Sequence, residues 1–442
     1  MARSHSFVVG GFLVLSVMLS STTAESKCET GMVINSIAYC NRVESLGYNN
    51  IGHTGDYQDV TGMDKQSCKC TYTPKKFSGP GAPINEPFSV HFRGPLGLKQ
   101  YAYYTTDNKK SKRSEEHLRR HAHGHNHRRV AEPALEVVTE YATTYKTVDA
   151  EVTATPAANN VKNNGPSTSV GPPPAVVKPD TGPKPDDTDS ASGTFSRQAY
   201  YNAELRTSEG LVFMNHYGGQ GSGDFDMDCF GQSISYANKD NTGGSSKPET
   251  LDDIILASGS EVIIFSDKKC AENDCGFYRP GIPAYHGFGG DMRVFAFEFI
   301  MPRDKGDVSG KGAHDVPALW LLNDKIARVA QYGIKSGPCS CWPDCGEFDI
   351  FEALPGNPTA GQSAVDMIKT HLHCAQGGKS GGGGNKDFFD RPLHSTMKLA
   401  AIFTGEYAFI TRLPDDTNFG KTFSANLIAE AKKTKSMFKI PS

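Results

Sequence analysis

Short runs in which apolar and polar residues alternate recur along residues 195–442, separated by glycine-rich connections. Such runs, rich in β-branched and aromatic residues, predict β-strands. Only residues 426–432 have the spacing of a helix, so the pattern as a whole predicts a β-sandwich. We predict strands at Glu261–Ser266, Arg293–Met301, Ala318–Leu322, Glu347–Phe351, Met367–His373, Lys398–Phe403 and Tyr407–Thr411.

The run from Arg293 to Met301 is apolar on both of its faces. Side chains alternate along a strand, so Phe295 and Phe297 share one face while Val294 and Ala296 share the other. A strand of this kind is covered on both sides.

Residues 25–107 have short aromatic and β-branched runs of their own. Residues 88–93 and 98–104 flank Gly-Pro-Leu-Gly at 94–97, which predicts a hairpin. Four cysteines lie in the same region, and no group of catalytic side chains stands out in it. We predict a small disulfide-tied β-domain at 25–107 and a larger domain at 195–442.

Residues 108–194 have the composition of a linker between these domains. Eight prolines lie between Thr155 and Asp186, and no aromatic residue lies between Tyr145 and Phe195. Such a segment cannot bury enough apolar surface to offset the entropy lost on ordering. We expect limited proteolysis of the linker to leave a stable fragment that begins near Phe195.

The first part of the linker, residues 109–129, contains eight Lys or Arg and five His. Its dibasic pairs, at 112–113, 119–120 and 128–129, are candidate processing sites. The alternatives are a metal-binding histidine tract and a solvated basic segment without a specific role.

The N-terminus has the parts of a secretory signal peptide. Residues 7–19 form an apolar run of 13 residues that follows Arg3, and small residues lead to Ala24. We predict cleavage after Ala24, with a single anchor helix as the alternative. The mature chain is then secreted without a membrane anchor.

The charge balance excludes one class of function. The chain has 442 residues and a formal net charge of −3. Proteins dedicated to nucleic-acid binding need a basic surface for the phosphates, so no nucleic-acid partner is expected.

The 11 cysteines predict disulfides, because the secretory route is oxidising. The number is odd, which leaves at least one thiol free. The cluster Cys339, Cys341 and Cys345 could also be interpreted as a metal site, but its spacing fits no common zinc pattern. We expect at least two of these three in disulfides, and no metal or cofactor.

Three acids lie close together in one predicted strand. Glu347 and Asp349 project from the same face, about 6.6 Å apart along the chain, and a β-bulge would return Glu352 to that face. Like charges held this close raise the pKa of one another, as a nucleophile and a general acid of glycoside hydrolysis require. The alternative is an edge strand with solvated acids on its outer face.

The sequence around these acids resembles a known enzyme family. Trp342-Pro-x-x-Gly-Glu-Phe-Asp-Ile-Phe-Glu352 is similar to the signature of family-16 glycoside hydrolases, the laminarinase-type β-glucanases. Residues 292–302 and 316–322 resemble the preceding strands of that family. The whole organisation resembles the fungal cell-wall "target of SBF" family.

The resemblance implies an all-β fold, a concanavalin-like β-jelly roll with a glycan cleft on its concave sheet. It implies Glu347 as nucleophile, Glu352 as acid/base and Asp349 as the residue that orients the nucleophile. The expected partner is β-1,3-glucan of the cell wall, bound by a monomer. No tryptophan follows Trp342, so stacking of sugars further along the chain would fall to Tyr or Phe.

Four further residues are candidates for substrate contact, because sugars stack on aromatic rings and hydrogen-bond to polar side chains. Trp342 is expected to line the cleft, and Trp320 is a candidate for either the cleft or the core. His371 and His373 share a strand face and could contact a sugar hydroxyl or serve the structure alone.

Three functions remain open at this level. The first is an endo-acting β-1,3-glucanase, and the second is a transglycosylase with the same carboxylates. The third is a wall protein that binds glucan without catalysis, although a binding cleft has no need to keep like charges together.

Overall fold

The computed structural model describes residue 28 and residues 31–106, 194–226, 228–271, 274–304, 306, 314–333, 339–356, 364–376 and 381–442. The predicted signal peptide lies outside the described residues, as does the predicted linker apart from Thr194. In the described parts of the chain, no helix is both long and apolar enough to span a bilayer.

The regular secondary structure of the described residues is almost entirely β-strand, with two short helices, α1 (Asp324–Arg328) and α2 (Asn426–Ala431). The strands are β1 (Met32–Ile34), β2 (Ile37–Tyr39), β3 (Ser45–Asn49), β4 (Gly55–Asp64), β5 (Lys69–Phe77), β6 (Phe88–Arg93), β7 (Gly97–Thr106), β8 (Thr194–Asn202), β9 (Thr207–Glu209), β10 (Leu211–Asn215), β11 (Phe225–Asp226), β12 (Gly231–Gln232), β13 (Ser235–Ala237), β14 (Gly244–Ser245), β15 (Glu261–Ser266), β16 (Met292–Ile300), β17 (Ala318–Asn323), β18 (Glu347–Glu352), β19 (Met367–His373), β20 (Gly383–Gly384), β21 (Phe389–Asp390), β22 (Met397–Thr404), β23 (Tyr407–Arg412), β24 (Thr422–Ser424) and β25 (Met437–Lys439).

Two large sheets contain most of these strands. Sheet A has the order β14-β13-β10-β15-β6-β17-β18-β19-β20, and β21 pairs with β19. Sheet B has the order β24-β8-β7-β16-β22-β23-β3-β25, and β9 pairs with β8. Neighbours are antiparallel in both sheets except β25 and β3, which are parallel.

The main core lies between the two sheets. Phe92 of sheet A packs edge-on against Phe297 of sheet B, with 6.1 Å between ring centroids. Tyr48 of sheet B packs likewise against Phe348 of sheet A at 5.0 Å. The prediction of an all-β sandwich is confirmed, and the arrangement fits a jelly roll.

Strand β16 is covered on both sides, as its pattern predicts. Phe295 and Phe297 belong to the core between the sheets. Val294 and Ala296 belong to a second cluster on the outer side of sheet B, which Phe423 and α2 help to cover.

The predicted separate domain at 25–107 is wrong. Strand β6 lies between β15 and β17 in sheet A, and β7 lies between β8 and β16 in sheet B. The described residues up to 106 and from 194 onward therefore belong to one compact unit. The physical reason is that both strands are largely buried, so their backbone groups need partners on both edges.

The hairpin predicted over residues 88–104 is also wrong, because β6 and β7 belong to different sheets. Residues 94–96 instead carry the chain from sheet A to sheet B. A Cβ atom at Gly94 would lie 2.2 Å from the carbonyl oxygen of Ala257, so this crossing requires glycine.

Five disulfides are formed by the described cysteines: Cys28–Cys40, Cys68–Cys229, Cys70–Cys339, Cys270–Cys275 and Cys341–Cys345. Cys374 is free and buried. The expectation that at least two of Cys339, Cys341 and Cys345 form disulfides is confirmed. Their interpretation as zinc ligands is wrong. Two of the bridges join the segment before the linker to the segment after it.

Candidate active site

The three acids project from β18 on the outer face of sheet A. Leu319 and Trp320 are consecutive in β17 but pair with Phe351 and Asp349 of β18. Ile350, between those two, therefore has no partner in β17. The register with β19 shifts at the same place. This is the predicted β-bulge, and it returns Glu352 to the face of Glu347 and Asp349.

The other face of β18 anchors the strand. Phe348, Ile350 and Phe351 are fully buried in the core between the sheets. Because these three side chains fix the orientation of the strand, the three acids remain on the same face of sheet A. Glu347, Asp349 and Glu352 are each only partly exposed.

Trp342 holds the carboxylate of Glu347. Its indole Nε1 donates a hydrogen bond to Glu347 Oε2, while 43% of the side chain stays exposed. The Cys341–Cys345 disulfide closes the loop on either side of this tryptophan. Gly346, with φ of 112°, then turns the chain into β18.

His373 on β19 contacts Asp349. The distance from His373 Nε2 to Asp349 Oδ2 is 3.2 Å, and the His373 ring lies 5.9 Å from the Trp342 ring. His371 pairs in register with Asp349 and lies 4.3 Å from the His373 ring. Burial, followed by the charge of His373, lowers the pKa of His371 to about 4.

Arg93 on β6 holds the third acid. Its Nη2 lies 3.0 Å from Glu352 Oε1, and its Nε donates to the carbonyl of Val316 at 2.9 Å. The second bond fixes the guanidinium, so the partner of Glu352 is oriented before any ligand arrives.

Burial and mutual repulsion change the ionisation of the acids. Burial, followed by the charge of Glu352, raises the pKa of Asp349 well above its usual range. Burial, followed by the charge of Asp349, raises the pKa of Glu347 to about 8, against the opposing effect of the Trp342 hydrogen bond. The cluster therefore retains a proton at neutral pH.

Two cavities meet at the acids. The larger has a volume of about 610 Å³ and is lined by Trp320, Tyr332 and Trp342 together with the three acids. The smaller has about 490 Å³ and is lined by Ser36–Ala38, His371 and Lys386 among others. Asp349, Glu352 and His373 line both, so the cavities form one cleft across β18.

Trp320 combines the two roles expected for it. Only 5% of its surface is exposed, and it packs in the cluster below the cleft. It also lines the larger cavity, where it stacks on His91 at 5.1 Å.

Comparison with known proteins assigns the chain to a family. The model described as "Cell wall protein YJL171C/Tos1, C-terminal" matches residues 193–431. The corresponding N-terminal model matches residues 44–106. The chain belongs to the Tos1 family of cell wall proteins.

Curated members of the Tos1 family match along most of their length. The chain is 38% identical to "Probable circularly permuted 1,3-beta-glucanase TOS1" of Candida albicans, over 88% of this chain and 90% of that protein. It is 36% identical to the protein of the same description from Saccharomyces cerevisiae, with the same coverage. It is 32% identical to a "Probable circularly permuted 1,3-beta-glucanase" of Arthroderma benhamiae, over 91% and 90%. No solved structure matches the chain.

The resemblance to a cell-wall family is thereby confirmed, and the cell-wall location agrees with the description of the Tos1 family. Arg93 and Tyr332 are among the cleft residues that the sequence pattern did not indicate. Arg93 lies in a segment predicted to be a separate domain without catalytic groups, 259 positions from Glu352. Tyr332 lies in a loop without recognisable periodicity. The polar positions of the Phe88–Arg93 run were the one signal that could have indicated Arg93.

Proposed function

We propose that this protein is a secreted cell-wall endo-β-1,3-glucanase that acts by a retaining mechanism with two carboxylates. The curated relatives are described as probable 1,3-beta-glucanases, which supports a glucanase-type function. The observation that carries the proposal is the bulge in β18, which brings Glu347, Asp349 and Glu352 to one face inside a cleft.

In this mechanism Glu347 attacks the anomeric carbon and Glu352 protonates the oxygen of the leaving sugar. A covalent glycosyl-enzyme intermediate forms on Glu347. Glu352, now ionised, takes a proton from the water that releases the product, and Glu347 is regenerated as a carboxylate.

In the reactive state Asp349 is protonated and keeps its proton, Glu352 carries a separate proton that it passes to the leaving oxygen, and Glu347 is ionised. The pKa of Asp349 is raised well above the usual range, and a protonated Asp349 no longer carries the charge that raises the pKa of Glu347. Glu347 can then ionise and act as nucleophile, while Trp342 donates a hydrogen bond that orients it. The chemistry needs only these side chains, and we propose no metal or cofactor.

The cleft supports an endo mode of action. A cavity extends to each side of the acids, so a glucan chain can pass across β18 in both directions. Trp342 offers an exposed ring on which a glucose unit can stack. His373 bridges the two halves of the cleft and can reach a sugar hydroxyl.

The relatives are described as circularly permuted, and the strand order here supports the same description for this chain. Strands β3, β6 and β7 precede the linker but pair with strands that follow it. We propose that the protein acts as a monomer, since one chain supplies all the groups named above.

Substitution of the acids tests the proposal. Glu347→Ala should abolish release of reducing ends from laminarin, because no glycosyl-enzyme intermediate can form. Glu352→Ala should be severely impaired on laminarin, retain activity on an aryl glycoside that needs no protonation, and be accelerated by azide.

Assays of the unsubstituted enzyme identify its substrate and distinguish hydrolysis from transglycosylation. Laminarin should be cleaved faster than chitin or mixed-linkage glucan. Products longer than the starting oligosaccharide would identify a transglycosylase instead. Unchanged glucanase activity in Glu347→Ala would overturn the assignment and favour a cleft that only binds glucan.

A further inference from the structure

A fourth carboxylate, that of Glu261, is hydrogen-bonded to residues that line the larger cavity and has no part in the mechanism above. Glu261 begins β15, beside β6, and three side chains hydrogen-bond to it. His91 Nδ1 lies 2.7 Å from Oε1, Gln331 Nε2 donates to Oε1 at 3.1 Å, and the Tyr332 hydroxyl donates to Oε2 at 2.9 Å.

The charge of Glu261 is stabilised by these donors. Burial acts to raise its pKa, but the hydrogen bond from His91 and the other polar contacts outweigh burial, so the pKa of Glu261 is lowered. Burial, followed by the charge of Glu261, raises the pKa of Tyr332. Tyr332 therefore stays a phenol and donates its proton to an ionised carboxylate, which makes the bond a strong one.

Two of these donors are connected to aromatic surfaces of the larger cavity. The Tyr332 side chain lines that cavity with 52% of its surface exposed. His91 stacks on Trp320, which lines the same cavity, with 25° between the ring planes. Glu261 thus fixes an exposed ring directly and a buried ring through His91.

The Tyr332 ring is held at its edge as well as at its hydroxyl. His216 packs against it at 5.5 Å between ring centroids, at an angle of 68°. Gln331, the neighbouring residue, bonds both Glu261 and His216 Nε2, the latter at 3.1 Å. An exposed ring held in this way loses little conformational entropy when a flat ligand covers it.

We propose that Tyr332 is a sugar-stacking residue of the larger cavity, distinct from Trp342, and that Glu261 is the residue that positions it. The inference rests on the proposed function for the class of ligand, a β-1,3-linked glucan. It adds a binding contact on the side of the acids where Trp320 forms the floor. Stacking at this place affects long ligands more than short ones.

Binding measurements test the inference without turnover. In a Glu347→Gln background, a β-1,3-linked glucose hexasaccharide is titrated calorimetrically. Tyr332→Ala should weaken binding roughly tenfold, because a stacked ring and its buried apolar area are lost. Tyr332→Phe keeps the ring and loses the bond to Glu261, so binding should weaken only about threefold.

The matched control is Tyr407→Ala, which removes another exposed tyrosine, 40% accessible against 52% for Tyr332, from β23 in sheet B. It should leave hexasaccharide affinity unchanged. The corresponding disaccharide should bind equally to the Tyr332→Ala protein and its parent.

Kinetics separate a contact with substrate from a general loss of structure. With Glu347 intact, Tyr332→Ala should raise KM for the hexasaccharide roughly tenfold while kcat changes less than about twofold. Glu261→Gln should resemble Tyr332→Phe. If Glu261→Gln does not fold, Tyr332→Phe decides the positioning role, because it removes the same bond.

Hexasaccharide affinity that is the same with and without the Tyr332 ring would overturn the inference, and so would a loss confined to kcat. Failure of the proposed function would look different. The unsubstituted enzyme would then bind the hexasaccharide without hydrolysing it, and Tyr332→Ala would still weaken that binding.

Discussion

Asp349 occupies the middle of the three acids, with His373 3.2 Å from one oxygen and the charge of Glu352 nearby. A buried carboxyl with a raised pKa is a source of instability wherever it must ionise. Asp349, which the proposed mechanism requires, is thus a residue that the fold tolerates at a cost in stability, as is common at functional sites.

We expect Asp349→Asn to lower kcat by more than it changes KM, because the family resemblance implies that Asp349 helps Trp342 to orient the nucleophile and does not bind the substrate. We also expect it to stabilise the protein. A raised pKa contributes stability that is complete below the unfolded value of about 4 and is lost as the pH rises toward the folded value. The melting temperature of Asp349→Asn should therefore match that of the parent at pH 4 and exceed it at pH 8.

The control for this measurement is Glu204→Gln, which also replaces a carboxylate with a neutral amide but at an exposed position. Its melting temperature should follow that of the parent at both pH values. An Asp349→Asn protein that is less stable than the parent at pH 8 would contradict the ionisation argued for the cluster.

At the scale of elements, the site depends on how β18 begins and how it is interrupted. The loop with Trp342 is closed by the Cys341–Cys345 disulfide immediately before the strand, and the bulge lies within the strand. The loop fixes the ring that holds Glu347, while the bulge fixes the direction of Glu352. Each feature is local, and the cleft needs both.

A pair of disulfide variants tests the role of the loop. Cys341→Ser with Cys345→Ser should lower the melting temperature and raise KM for laminarin severalfold, because Trp342 is no longer held over Glu347. Cys270→Ser with Cys275→Ser removes a bridge of similar span, five residues instead of four, away from the cleft. It should cost comparable stability, about 1–3 kcal/mol, and leave KM unchanged. Equal effects of the two pairs on KM would show that the loop has no specific role.

At the scale of the molecule, the unit that contains the cleft is assembled from both sides of the linker. Strands β6 and β7 are interior strands of sheets A and B. The bridges Cys68–Cys229 and Cys70–Cys339 connect the same two segments covalently. The fragment expected to be stable from Phe195 onward therefore lacks the interior strand β6 of sheet A and the interior strands β3 and β7 of sheet B.

Residues 195–442 produced alone should fail to fold, as judged by the absence of a cooperative thermal transition. Full-length protein cut in the linker should behave differently. The two pieces should migrate together on a non-reducing gel, separate on a reducing gel, and retain glucanase activity before reduction. A cooperative transition and full activity in the 195–442 fragment would contradict the single unit described here.

The sequence alone determined the features that depend on local geometry. Side chains alternate along any strand, so the pattern was enough to predict β18, the face of its acids and the bulge at Glu352. The spacing of strands and the cysteine count were enough for an all-β, disulfide-bonded fold. The motif from Trp342 to Glu352 was enough for the family resemblance, because all of its residues lie in one loop and one strand.

Tertiary structure decided which strands lie side by side. Nothing local in residues 88–93 specifies pairing with β15 and β17, because that choice depends on burial and on closure of a long loop across the linker. The hairpin and the separate domain were wrong for this reason. Arg93 reaches Glu352 across 259 positions and Tyr332 reaches Glu261 across 71, and both contacts exist only once sheet A has assembled.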